Sequence, residues 1–330
     1  MVRCLKPDLT RVLPWVCSWL VGLLVGSPWL NGHAQGEPPS HGHGVGQTSD
    51  QTGPALRMPV IKSGAHWQLY PWMPKAHALP IRRLDNTFPT PSGYTRIEVV
   101  PGHFDHWLRG LPIRRDRRQV LSYRDRPLDR PAAGIVYMDV GRRDLQQCAD
   151  SAIRLHAEYL WAKGFQHRLQ YHFTSGDLSR WSDWKAGERF VIRGAEVARK
   201  TGPARSGSHQ SFRAWLDLIF TYAGSLSLPR DTTVVGTKPY RAGDILVQGG
   251  RPGHVVMILD IARNRDGTTI ALLGQGFMPA EDFHVLRDQG PHVIEQTWFR
   301  LPDEMDAPLP TPSWPSPFTK AQARRFHHID

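Results

Sequence analysis

Residues 243–260 read GDILVQGGRPGHVVMILD. This is a strand over Asp244–Val247, a turn made of Gly and Pro, and a second strand headed by His254. Val255–Ala262 and Thr269–Gly274 pair as a hairpin closed by Asn264-Arg265-Asp266-Gly267. With that turn, the residue opposite His254 falls at about 275–278. Gln275 is the polar side chain nearest to that position, and Asp260, further along the His254 strand, is the reserve.

Upstream, the pattern turns helical. Leu145, Ala149, Ala152, Leu155, Tyr159 and Leu160 recur at helical spacing, and Gly164 stops the run. Asp144 can cap this helix, with Gln147 at capping-box spacing. Phe212–Tyr222 forms a second helix, and Phe104–Leu111 a short one. Tyr94–Val99, Ile135–Val140, Arg168–Phe173, Phe190–Ile192 and Phe283–Leu286 look like strands. Helices first and an antiparallel sheet later give an α+β domain over residues 67–301. A Pro-rich C-terminal extension, 302–330, wraps or trails it.

The chain has 330 residues, 40% apolar and 22% charged, enough to bury a core. Thirty Gly and 28 Pro without a fixed period exclude collagen, and no repeat supports a solenoid. Arg3, Lys6 and Arg11 lead an apolar run over Leu13–Leu30, and Gly32-His33-Ala34 supplies small residues for cleavage. Residues 1–34 therefore have the layout of a signal peptide, the alternative being an uncleaved anchor. A Gly/Pro/Ser-rich flexible linker over 35–66 follows. Cleavage removes Cys4 and Cys17, so the mature chain keeps Cys148 alone and no internal disulfide. The formal net charge is +11, falling to +9 without the leader. An exported protein this basic, periplasmic or extracellular, is drawn to anionic surfaces. No nucleic-acid signature is present.

Cys148 falls on the first turn of its helix, where the dipole and free N–H groups favour the thiolate that a nucleophile needs. The competing reading is a small core residue. His254 on a rigid strand suits a general base, and Gln275 would orient its ring. Arg142 and Arg143 precede the thiol. Gln146 or Gln147 could donate to an oxyanion, though Gln147 reads better as a cap. Trp181, Trp184 and Ser175 are candidates for lining a substrate groove. The run Arg109–Arg130, with eight Arg against three Asp, suits an anionic polymer or simply a solvated face. His103-x-x-His106 lacks a third ligand, and His41 and His43 lie in linker, so no metal is implied. Ser175 lacks a Gly-x-Ser-x-Gly elbow, which argues against a serine hydrolase. No organic cofactor is implied.

A Cys at a helix start followed by a strand, a turn and a Gly-His-Val strand resembles the papain-like hydrolases of the NlpC and CHAP type. The resemblance implies a papain-like core, with the nucleophile helix packed on an antiparallel sheet. It implies Cys148, His254 and Gln275 acting in that order on an amide bond of the cell envelope, in a peptide or glycopeptide. The sequence departs from those families at Gln147-Cys148-Ala149. From about Tyr70 to Phe326 the chain also resembles an uncharacterised bacterial family, DUF4846. The segments that carry this are Arg143–Asp150, Phe173–Gly176, Gly249–His254 and Gln275–Ala280. The second functional reading is a non-catalytic envelope- or polyanion-binding protein, recognising its partner through the Arg114–Arg118 stretch and Trp181/Trp184.

Overall fold

The computed structural model describes residues 65–74, 80–194 and 196–330. The expected signal peptide and residues 35–64 of the expected linker lie outside the described residues. Five α-helices are described: α1 (Leu84–Thr87), α2 (Phe104–Arg109), α3 (Cys148–Ala162), α4 (Trp181–Ala186) and α5 (His209–Tyr222). None among the described residues is long and apolar enough to cross a membrane.

The strands that matter to the site are, in chain order, β1 (Tyr94–Arg96), β2 (Ala132–Ile135), β3 (Glu188–Arg193), β4 (Glu196–Thr201), β5 (Thr232–Val234), β6 (Asp244–Gln248) and β7 (His254–Asn264). They continue with β8 (Thr269–Gln275), β9 (His284–Leu286), β10 (Val293–Ile294), β11 (Trp298–Arg300), β12 (Leu309–Thr311), β13 (Trp314–Phe318) and β14 (Ala323–Phe326). One ten-stranded antiparallel sheet runs β5-β14-β6-β7-β8-β9-β2, with β1 paired to β7 and the β10–β11 pair attached to β8. β3 and β4 form a separate hairpin.

β7 and β8 are apolar on both faces, the mark of strands covered from both sides. Val255, Met257, Leu259 and Leu272 join the core under α2, α3 and α5. Val256, Ile258, Ala271 and Leu273 join a second core with Phe299, Leu309 and Phe318. The register slips between Ile258 and Asp260. This bulge turns Asp260 to Arg96 and Arg109, whose Nε atoms donate to its carboxylate at 2.7 and 2.8 Å. Asp260 is therefore an internal ion-pair anchor, not a partner for His254.

The hairpin and the turn at Asn264–Gly267 fall where the pattern puts them; Gly267 N–H donates to Asn264 O at 3.2 Å. The expected papain-like core is not found. Among the described residues strand exceeds helix, 32% against 22%, and the large antiparallel sheet dominates. The reason is long-range pairing that local pattern does not show. The C-terminal extension sends β14 between β5 and β6, and Arg325 seals the junction by donating to buried Asp244 at 2.6 and 2.8 Å.

Gly274 marks a close approach in the helix-side core. A Cβ there would stand 2.7 Å from Leu259 Cδ1 and 2.8 Å from Phe283 Cζ, both fully buried. Gly274→Ala should lower stability by about 1–3 kcal/mol. Urea unfolding should show this as a lower midpoint at unchanged slope.

Candidate functional site

The N-cap of α3 is Gln147, itself an expected capping residue, and not Asp144. Its side chain accepts from the Asp150 N–H, and the Asp150 carboxylate accepts from the Gln147 N–H at 3.1 Å. Asp144 instead accepts from Ala280 N–H and Gln147 Nε2, at 2.6 and 3.1 Å. Cys148 thus becomes the first helical residue.

Cys148 lines a cleft of about 820 Å³. Phe173–Ser175, the end of α5, Gly224–Leu226, the Gly250–Gly253 turn and the β3–β4 hairpin line it. Gly253 is required for close packing of that turn: a Cβ there would lie 2.7 Å from both Gln248 O and Gly250 N. The thiol is only 6% exposed, and its Sγ lies 4.0 Å from Gly253 O. Burial, and after it the Asp150 charge, push the thiol up to about 11, although the N–H groups of Val255, Ala149 and Cys148 pull the other way. Desolvation outweighs the helix N-terminus here.

His254 and Gln275 do meet, Nε2 to Oε1 at 2.8 Å. Both are buried, and burial holds His254 down at about 4. They meet on the other face of the sheet. Side chains of β7 alternate, so Val255 points to α3 while His254 packs against Phe277 and Trp314, with ring centroids 4.9 Å apart in each case. The glycines flanking Gln275 obey the same rule: a Cβ on Gly276 would stand 2.6 Å from Ser151 Oγ of α3. No hydrogen bond joins Cys148 to His254 among the described residues. The expected Cys148–His254–Gln275 triad is corrected to a His–Gln pair on one face and a lone thiol on the other.

The expected groove residues divide. Ser175 lines the cleft and donates to Asp177 Oδ2 at 2.7 Å. Trp181 and Trp184 do not line it: they stack on each other at 5.6 Å and are buried against α5. Their spacing in a short α4 made them look like loop aromatics. Gln146 is fully buried and accepts from Arg154 Nη1 at 2.7 Å, so it faces no oxyanion. Three of the eight arginines of the run are spent internally, Arg109 on Asp260, Arg117 on Asp282 and Arg130 on Glu281, while Arg115, Arg118, Arg124 and Arg126 are exposed. Sequence reasoning missed the cleft's own cation, Arg251, and Arg230 near it. Arg251 lines the cleft, and the Arg230 guanidinium lies 3.6 Å from the Cβ position of Gly176, beside Ser175. Neither forms an ion pair among the described residues. Arg251 was visible inside the glycine turn; nothing local marks Arg230.

The model of one protein family, described as domain of unknown function (4846), matches residues 84–325. No curated protein and no solved structure matches the chain.

The thiol gives a direct check. Alkylation of Cys148 by iodoacetamide should be slow near neutrality and climb toward about pH 11. His254→Ala should leave that profile in place, because the ring faces away. Loss of the profile in the variant would return the imidazole to the thiol.

Proposed function

The chain belongs to the family of domain of unknown function 4846, and we propose that it is a non-catalytic binding protein that holds an anionic cell-envelope polymer in the Cys148 cleft. One observation carries this reading: among the described residues Arg251, which forms no ion pair, lines the cleft, with Arg230 close by next to Gly176, while no histidine lies within hydrogen-bond reach of the thiol. Thiol catalysis requires a thiolate and a proton acceptor within hydrogen-bond reach. A buried thiol held at about 11 with its intended base across the sheet meets neither condition. The hydroxyls of Thr174 and Ser225 add neutral donors along the same cleft. The net charge of +11 draws anionic partners from a distance, and a leader-like N-terminus supports a partner in the envelope.

A second reading, a cysteine hydrolase of an envelope amide bond, is favoured by the position of the thiol in the cleft. A single pair of variants separates the two. With heparin as a soluble polyanion probe, Arg230→Glu combined with Arg251→Glu should weaken binding about tenfold or more at low salt, roughly 1.4 kcal/mol. Cys148→Ala should leave binding within about twofold. Release of peptide from purified sacculi that disappears in Cys148→Ala would replace the binding reading with the hydrolase.

A further inference from the structure

The face of the sheet away from the cleft holds a row of polar side chains that the binding reading does not use. Gln248 of β6 pairs in register with His254 of β7, and Gln275 of β8 with His284 of β9. The His254–Gln275 hydrogen bond of 2.8 Å joins the two pairs. Glu281 lies at the end of the row, with Oε1 3.6 Å from His284 Nδ1 and Oε2 accepting from Arg130 Nε at 2.9 Å. His254, His284 and Glu281 have no solvent exposure. His254 Nδ1, Gln275 Nε2, His284 Nε2 and Glu281 Oε1 are buried with no hydrogen-bond partner among the described residues.

The C-terminal β12–β13 hairpin closes over this row. Trp314 sets its ring 4.9 Å from that of His254, with Phe318 6.0 Å away. Trp314 Nε1 donates to Gln248 Oε1 at 2.9 Å, and Gln248 Nε2 donates to Pro317 O at 2.8 Å. The hairpin is therefore docked on the Gln248–His254 pair itself.

We propose that this cluster is an acid-sensitive latch: protonation of His254 and His284 releases the β12–β13 hairpin from the sheet while the cleft side stays folded. The charged groups around His254 make the direction clear. β6 and β8 present only neutral glutamines, and the hairpin presents aromatic rings. Past the end of β8 come Phe277 and Glu281, and β9 presents His284. Arg130 reaches in from the segment before β2. Asp282 is already closed by two bonds from Arg117, at 2.6 and 2.9 Å. Near neutrality Arg130 and Glu281 balance. Burial lifts Glu281 to about 7, so on acidification this carboxylate is lost first. Burial holds His254 and His284 at about 4, so their charges arrive last, beside Arg130 and with no carboxylate left to meet them. An imidazolium formed at His254 would also bury an N–H without an acceptor.

The sign is that of a histidine with a depressed pKa. Its contribution is complete above the unfolded value of about 6.5 and is lost as pH falls toward 4. Glu281 acts in the opposite sense, costing stability as pH rises through its raised value, so the two histidines drive the opening. A local opening of this kind exposes one structural unit ahead of the rest.

Hydrogen exchange read by mass spectrometry on the full chain tests the latch, stepped from pH 7 to pH 4 and corrected for intrinsic rates. Peptides over 305–318 should lose protection below about pH 5, while peptides over α3 and β6 keep theirs. His254→Gln, which keeps a polar partner for Gln275 but cannot charge, should shift that opening down by about one pH unit or abolish it. If that variant does not fold, His284→Gln makes the same comparison. The proposal is overturned if the hairpin stays protected at pH 4 or if all peptides open together. It is equally overturned if the hairpin opens at an unchanged pH in the variants.

Discussion

Alternate side chains of β7 leave the sheet on opposite sides, and the rest of the molecule is arranged around that alternation. Val255, Met257 and Leu259 need cover on one face, and Val256 and Ile258 on the other. Helices supply the first cover. The second comes from β11 and the C-terminal hairpin, brought there because β14 inserts beside β6. The single bulge near Leu259 interrupts the alternation where Asp260 has to reach two arginines on the helix side.

Buried charge is the second constraint. Asp260, Asp244 and Arg154 are each fully buried, and each is closed by a partner: Arg96 and Arg109, Arg325, and Asp139 with Glu158. Removing one partner of such a pair leaves an uncompensated charge, which costs far more than the pair itself contributes. These contacts fix β1 and α2 to the bulge, β14 to β6, and α3 to the strand-to-helix loop that leads to Cys148. They take Arg109 out of the arginine run that the sequence offered to a polyanion, while Arg115, Arg118, Arg124 and Arg126 of that run stay exposed.

The same burial decides the chemistry at the two candidate centres. At Cys148 the helix N-terminus and three backbone N–H groups favour the thiolate, but loss of water and the Asp150 charge disfavour it more. At His254 the aromatic cover keeps the ring neutral. A thiol and an imidazole, each in the local setting that a hydrolase would want, are thus held apart and inert toward one another, and the imidazole becomes part of the packing of the C-terminal hairpin.

The sequence by itself determined the strand–turn–strand at 243–260, the β7–β8 hairpin and its turn, the two long helices and the meeting of His254 with Gln275. These rest on spacing within a few tens of residues, where period-two and helical patterns and turn residues act directly. Capping was legible only to within a turn, because Asp144 and Gln147 both suit the role and Ala280 decides between them. Which face His254 takes, whether Trp181 and Trp184 see solvent, and where the C-terminal strand inserts belong to the tertiary structure alone. Each depends on register against a distant segment, and a strand's pattern does not say which of its two faces a given helix will cover.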